Sequence, residues 1–268
     1  MVNKEIEING KLLKISTGQV AKQSAGSVIV SYGETTIIAA VNAAREMRED
    51  IDFFPLQVEY RERHYAGGKI PGGFFKREAR PSEREILTSR LTDRPIRPLF
   101  PKSFKFETQV IITVLTTDGD NPADVLAGVG ASAALMVSDI PWNGPIATVR
   151  LAKVDENFIV NPTREQMEES SMELVVSGNK DTIVMVEGEA DLISEDVFLD
   201  ALKFAHEDIK KIIALQEEVA KEVNLDKREI PEEKANDELN AAVDKAIGDK
   251  INDIIQVADK AERELATS

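Results

Sequence analysis

Short apolar runs separated by turn-forming residues occupy the chain up to about residue 190. Val, Ile and Thr dominate these runs, and turns at Asn9-Gly10 and Tyr32-Gly33 bound the first of them. Because β-branched residues favour strands and glycine favours tight turns, the pattern predicts a β-rich opening built from hairpins. The predicted strands lie at 11–15, 27–30, 35–41, 53–60, 108–115, 146–154, 158–160, 172–177 and 182–186.

Two helices are predicted between these strands. Ser82 precedes an acidic turn and can cap a helix that ends at Pro95 and Pro98. Residues 123–137 are rich in Ala and Gly, and small side chains let a helix lie close to a sheet, so this helix should be buried. The mixture predicts an α+β fold with a mixed β-sheet and packed helices.

The pattern changes near residue 194, and apolar residues then recur at helical spacing. Beyond Phe204 there is no aromatic residue, one glycine (Gly248) and one proline (Pro231). The apolar stripes predict helices on both sides of Pro231 that need a partner surface. We therefore expect a core domain at 1–200 and a small, acidic all-helical domain at 201–268.

Composition excludes several kinds of site. The chain has no cysteine, so disulfides, thiolate zinc sites and thiol nucleophiles are excluded. Its two histidines, His64 and His206, are far apart in sequence, which excludes a metal site of several histidine ligands. The N-terminus lacks the apolar core of a signal peptide, and no run approaches the roughly 18 apolar residues of a membrane span. We expect a cytoplasmic protein with no membrane partner.

Charge is distributed unevenly. The formal net charge is −15, from 33 Lys and Arg against 48 Asp and Glu, whereas residues 61–105 hold 12 basic and 5 acidic residues. An average that argues against a nucleic-acid binder thus conceals a basic segment that favours contact with a polyanion.

A glycine-rich loop in this segment carries two adjacent aromatic residues. Phe74 and Phe75 are followed by Lys76, Arg77 and Arg80. Aromatic rings can stack on bases while cations hold phosphates, so the loop is a candidate site for single-stranded nucleic acid with little sequence preference. The pattern is equally compatible with rings that turn into the core and cations that are ordinary surface.

The helix that follows adds a row of arginines. Arg90, Arg94 and Arg97 are spaced four and three apart and fall on one face, where guanidinium groups can bind phosphates. The alternative is an ion-pair network with the acidic residues of the same helix, among which we expect Asp93 to be structural.

A strand-to-helix turn contains the carboxylates of Asp118, Asp120 and Asp124. Such a cluster could hold magnesium for hydrolytic RNA cleavage. Aspartates at these turns commonly cap helices, however, and neither an EF-hand nor a phosphate-loop spacing is present. We therefore expect no metal ligand and no catalytic residue here, with a hydrolytic ribonuclease kept as an alternative.

Longer motifs resemble the polynucleotide phosphorylase family, and the likeness extends over the whole chain. The motifs are FFPLQVEYRERHYAGGKIPGGFFKREARPSE at 53–83, EILTSRLTDRPIRPLFP at 85–101, GASAAL at 130–135 and NGPI at 143–146. The resemblance implies that residues 1–200 form the first of two ribonuclease PH-like core domains. The second core domain and the KH and S1 RNA-binding domains are missing from these 268 residues.

The resemblance also implies an activity. Members are ring-shaped homotrimers that degrade RNA from the 3′ end, using inorganic phosphate and magnesium to release nucleoside diphosphates, and the loop at 74–80 grips RNA in their channel. Catalytic groups lie in the second core domain. Here Gly119-Asp120-Asn121-Pro122 replaces a glycine and serine run, and Val175 stands where a lysine would be.

This half is therefore expected to supply RNA contacts and trimer surface, to bind neither phosphate nor magnesium, and to be inactive alone. A free-standing RNA-binding or assembly module is a further alternative.

Overall fold

The computed structural model describes residues 1–48, 51–73, 78, 80–230 and 237–267. The chain divides into two compact units, Met1–Ile230 and Pro231–Ser268. Within the first unit, two sheets and the helices between them confirm the predicted α+β class with a mixed sheet.

The first sheet has six strands in the order β1-β2-β3-β4-β6-β5. Neighbouring strands are antiparallel except β5, which runs parallel to β6 and forms an edge. The predicted turn at Asn9-Gly10 joins β1 to β2, with φ of 47° and 73° at its two residues, values that Asn and Gly tolerate. The strands are β1 (Val2–Ile8), β2 (Lys11–Thr17), β3 (Gly26–Tyr32), β4 (Thr35–Ala43), β5 (Leu56–Glu62) and β6 (Thr108–Thr116).

The second sheet is antiparallel throughout, in the order β10-β9-β7-β8. Its strands are β7 (Ala147–Val154), β8 (Asn157–Val160), β9 (Met172–Gly178) and β10 (Ile183–Ala190), and a short helix α3 (Arg164–Glu168) lies between β8 and β9. The structure adds β1 and α3 to the elements predicted from the sequence.

Helix α1 (Glu83–Ile96) packs on β5, and helix α2 (Asp124–Met136) contacts β3 and β4 of the first sheet and β7 of the second. Residues Val125 to Leu135 are all buried, which confirms the expected buried helix. A side chain at Gly128 would collide with Thr148 of β7, so the small residue is required for this close approach.

Helix α4 (Glu195–Val223) also belongs to the first unit, and the sequence-based boundary at residue 200 falls inside it. Its buried face contacts β1 and β7, so these sheets cover the apolar stripe that the sequence left without a partner. Residues 224–230 contact the C-terminal end of α2, where the Lys227 ammonium donates to the carbonyls of Leu135 and Ser138. The division between units therefore lies after residue 230 rather than before α4.

The second unit contains α5 (Asp237–Ile255) and α6 (Lys260–Thr267). Asp259 caps α6 by accepting a hydrogen bond from the N–H of Glu262 at 3.0 Å. Among the described helices of both units, none is long and apolar enough to cross a membrane.

Candidate nucleic-acid interface

The predicted RNA-binding loop is described only in part. Phe74, Phe75, Lys76 and Arg77 lie outside the described residues, so nothing here tests their assignment. Arg80, on the C-terminal side of the loop, is exposed, and its side chain has no partner in the described part of the chain.

The helix after the loop begins as predicted. The Ser82 hydroxyl accepts from the N–H of Glu85 at 3.3 Å, and the Glu85 carboxylate accepts from the N–H of Ser82 at 2.6 Å, which completes a capping box. Pro95 lies within the last turn of the helix, and a short 3-10 turn from Arg97 to Leu99 follows.

Two side chains of α1 accept hydrogen bonds from backbone N–H groups on the outer edge of β5. The second oxygen of Glu85 accepts from the N–H of Glu62 at 2.9 Å, and the Ser89 hydroxyl accepts from the N–H of Tyr60 at 3.0 Å. Burial alone would raise the pKa of the Glu85 carboxyl, but the hydrogen bonds from Ser82 and Glu62 lower it below its ordinary value. The carboxylate is thus held charged, and α1 is fixed to the sheet by one side.

Helix α1 also lines a groove of about 1090 Å³, and Arg90, Arg94 and Arg97 border it together with Leu87 and Leu91. The three predicted arginines therefore lie beside one groove. Their partners nevertheless differ, and the partners decide which guanidinium group is available to a ligand.

Arg97 is held by the protein itself. Its guanidinium pairs with both oxygens of Asp93 at 2.6 and 2.5 Å, and it also donates to the carbonyls of Phe54 and Leu56. The expected structural role of Asp93 is confirmed by this pairing, and Arg97 joins α1 to the chain that leads into β5.

The other two arginines are more accessible. Arg94 pairs with Glu187 of β10 at 2.7 Å, but both side chains are about 60% exposed, and exposed ion pairs are weak. Arg90 is exposed and has no hydrogen-bond or ion-pair partner within the residues that the structure describes. Arg90 is therefore the arginine of this row that is most available to a phosphate.

A second cavity, of about 280 Å³, gathers cations from separate parts of the chain. Arg63, Lys69, Arg84 and Arg164 line it. Arg164 begins α3 and lies outside the basic segment at 61–105, so sequence analysis missed it. No window of local charge could have found it, because only the fold brings α3 beside the residues that follow β5.

The turn at 118–122 is saturated by internal hydrogen bonds. The Asp118 carboxylate accepts from the backbone N–H groups of Glu34, Asp120 and Asn121 and from the side chain of Asn121. Burial alone would raise the pKa of Asp118, but these hydrogen bonds together lower it to about 2. Asp118 therefore stabilises the turn.

Asp124 is also committed to an internal partner. Arg150 of β7, whose side chain is only 12% exposed, donates to Asp124 at 2.7 Å and pairs with Glu173 of β9. Val175 packs with Val125 and Met185 in a buried apolar cluster. In the described part of the chain, no group of three or more acidic or histidine side chains could hold a metal ion.

Comparison with protein families gives two adjacent matches. Residues 9–141 match domain 1 of the 3′ exoribonuclease family, and residues 144–208 match domain 2 of that family. The first match contains nearly all of the six-stranded sheet, and the second contains the four-stranded sheet. The two matches therefore correspond to the two halves of the first unit.

Curated relatives are similar over almost the whole chain. The polyribonucleotide nucleotidyltransferase of Thermomicrobium roseum is 51% identical over 265 residues, which cover 99% of this chain and 34% of that protein. The polyribonucleotide nucleotidyltransferase of Thermus thermophilus is 47% identical over 264 residues, which cover 98% of this chain and 37% of that protein. The chain thus spans about a third of the length of these relatives.

A solved structure has the same fold. The archaeal exosome of Archaeoglobus fulgidus, with RNA bound to the active site, contains a chain that matches with a TM-score of 0.62 at 20% identity. The match covers 78% of this chain and 87% of that chain. At this identity the match confirms the predicted ribonuclease PH-like fold and carries no conclusion about function.

Proposed function

Because the chain belongs to the 3′ exoribonuclease family, we propose that it is the N-terminal part of a polyribonucleotide nucleotidyltransferase, which degrades single-stranded RNA from its 3′ end by phosphorolysis. The observation that carries the proposal is the 47–51% identity to such enzymes over almost the whole chain. The whole enzyme uses inorganic phosphate as the attacking group and magnesium to stabilise developing charge.

Within that enzyme, this part binds RNA and does not form the reaction centre. Asp118 and Asp124 do not fit a magnesium site, because internal donors occupy their oxygens. Nor does the turn fit a phosphate, since Asp120 presents an exposed carboxylate and Pro122 has no N–H to donate. The hydrolytic alternative needs these carboxylates to bind magnesium, so their internal partners also argue against it.

RNA binding in this proposal combines the loop at 74–80 with the arginines of α1. The loop supplies aromatic rings and cations, and Arg90 and Arg94 add positive charge along the groove. Arg97 contributes indirectly by holding α1 in place. Contacts of this kind address the phosphate backbone, so we expect little preference for RNA sequence.

The assembly that we propose is a ring-shaped homotrimer. Ile86 and Leu87 on α1 are 48% and 56% exposed in the single chain. Exposed apolar side chains of this kind become covered when a protein partner packs against α1, which is consistent with an assembled form.

The function is tested by incubating the chain with RNA and magnesium, with and without inorganic phosphate. We expect no release of nucleotides under either condition, because the described turn lacks groups for either reaction. Phosphate-dependent release of nucleoside diphosphates would place a working reaction centre in this part. Phosphate-independent release of monophosphates would instead establish the hydrolytic alternative.

RNA binding is measured in the same preparation with a fluorescently labelled oligoadenylate. Replacing Phe74, Phe75, Lys76, Arg77 and Arg80 together by alanine should weaken binding, at roughly 1 to 3 kcal/mol per stacked base, and should flatten its salt dependence. Unchanged affinity in this loop variant would refute the assignment of RNA binding to the loop.

A further inference from the structure

The groove beside α1 is lined by nearly equal numbers of cationic and anionic side chains. Five of its lining residues are arginines and four are acidic. Each cation in a groove that binds a polyanion strengthens binding, whereas each carboxylate repels phosphates and weakens it. Every acidic side chain of the groove therefore opposes the proposed RNA binding unless it serves another purpose.

Two of these acidic residues serve the fold. Asp93 holds Arg97, and Asp124 holds Arg150, whose side chain is only 12% exposed. Arg97 and Arg150 are also bonded to other groups of the protein, so neither pair is readily exchanged for a pair with a phosphate.

Glu187 has a different relation to the groove. It lies on β10, an edge strand of the second sheet, and reaches an arginine of α1 that is 93 residues away in the sequence. The Nη1 atom of Arg94 donates to Oε2 of Glu187 at 2.7 Å, and the two side chains are 60% and 59% exposed. The pair is therefore open to water and to any ligand that enters the groove.

Such a pair contributes little to stability but occupies a group that a phosphate needs. A guanidinium group binds a phosphate best through two parallel N–H groups, and Glu187 accepts from one nitrogen of Arg94. A phosphate and the Glu187 carboxylate thus compete for the same donors. Arg90 has no ion-pair partner among the described residues and so lacks a competitor of this kind there.

We propose that Glu187 sets the strength of RNA binding in the groove by competing with RNA phosphates for Arg94. The inference rests on the proposed function, which assigns Arg94 to RNA. RNA that enters the groove displaces Glu187 from the guanidinium group, and the carboxylate returns when that phosphate leaves. An exonuclease that shortens RNA stepwise must release and rebind the backbone, and a carboxylate that replaces the departing phosphate favours the release.

A double-mutant cycle tests this competition. Affinity for fluorescently labelled oligoadenylate is measured at one salt concentration for the wild type, Glu187→Gln, Arg94→Gln and the double variant. We expect Glu187→Gln to bind about 2- to 5-fold more tightly than the wild type, the range set by one exposed ion pair. In the Arg94→Gln background the same change should have no effect, because no guanidinium group is left to compete for.

Glu83→Gln is the matched control. Glu83 lines the same groove and is exposed, and its side chain has no hydrogen-bond or ion-pair partner among the residues that the structure describes. This variant removes one negative charge without releasing an arginine, so its affinity measures the effect of charge alone. We expect Glu187→Gln to bind oligoadenylate more tightly than this control.

Thermal unfolding separates competition from a structural role. We expect Glu187→Gln to melt within about 3 °C of the wild type, because an exposed ion pair adds little stability. A larger decrease would show that the pair is needed to join β10 to α1, and it would overturn the exchange that we propose.

The binding results distinguish failure of the inference from failure of the proposed function. If the wild type binds oligoadenylate but Glu187→Gln gains equally in both backgrounds, or no more than Glu83→Gln, the inference is wrong and the proposed function stands. If the wild type does not bind oligoadenylate, the RNA-binding role proposed for this part fails, and the inference about Glu187 fails with it.

Discussion

At the scale of the single residue, internal partners determine which charged groups are available to a ligand. Arg90 and Arg97 occupy similar positions in the sequence pattern, but Arg97 is held by Asp93 and by two carbonyls whereas Arg90 is exposed. Asp118 likewise resembles a metal ligand by sequence, yet its oxygens accept hydrogen bonds within the turn. Both assignments depend on contacts rather than on residue type.

The lowered pKa of Asp118 predicts a dependence of stability on pH. Burial alone would raise this pKa, but hydrogen bonds from Asn121, Glu34 and Asp120 lower it from 3.8 to about 2 in the folded chain. A lowered folded pKa means that the charged form stabilises the fold above the ordinary value and that this contribution is lost as the pH falls towards 2.

We therefore compare the free energy of unfolding of the wild type with that of Asp118→Asn. As the pH falls from roughly 5 to 2, we expect the wild type to lose about 1 kcal/mol relative to the variant, after a discount for solvent screening. Urea denaturation at several pH values measures the difference. A gap between the two proteins that stays constant over this window would contradict the assignment.

At the scale of the element, α1 both attaches to the first sheet and presents arginines to a groove. Glu85 and Ser89 accept hydrogen bonds from the edge strand β5, whereas Arg90 and Arg94 are exposed beside the groove. This attachment also satisfies backbone N–H groups that an edge strand would otherwise expose to pairing with another chain. The position of the arginines is therefore set by residues that have no contact with a ligand.

Removing this attachment should destabilise the first unit. Glu85→Ala or Ser89→Ala leaves a backbone N–H of β5 without its partner, and we expect each to lower the free energy of unfolding by about 1 to 3 kcal/mol. Glu83→Ala, at an exposed neighbouring position, serves as the control in urea denaturation. A loss no larger than that of the control would show that water replaces the side chains without cost.

At the scale of the whole molecule, α4 decides where the first unit ends. Its fully buried residues include Ala201, Ala205, Ile209, Ile212 and Ile213. Burying one isoleucine side chain contributes roughly 1.5 to 3 kcal/mol. The three isoleucines together therefore contribute an amount comparable with the ~5 to 15 kcal/mol stability of a whole domain. The first unit should not fold without this helix.

Truncation tests this boundary. We expect a chain of residues 1–230 to unfold at nearly the same urea concentration as the 268-residue chain, because the second unit is a separate compact body. A chain of residues 1–200 should lack a cooperative transition by circular dichroism. Cooperative unfolding of the shorter chain would instead support the boundary drawn from composition.

Much of the fold follows from local pattern, and the omissions have local causes. The predicted strands all correspond to observed ones, and Ser82 caps α1 as expected. β1 was missed because Lys4, Glu5 and Glu7 are unusual in strands. Glu5 and Glu7 occupy exposed positions of this edge strand, and Lys4 pairs with Glu222 of α4. α3, from Arg164 to Glu168, is too short to show helical periodicity.

The sequence by itself determined the order of strands and helices, the basic segment and the family, because turn residues, side-chain periodicity and long motifs are local properties. Only the tertiary structure decided which charges are free and what covers α4. Arg150 pairs with Asp124 and Glu173, which are 26 and 23 residues away in the sequence, and no rule of sequence spacing predicts these pairs. Hydrogen bonding and burial join residues that are distant along the chain, so the availability of each charged group is a property of the folded molecule.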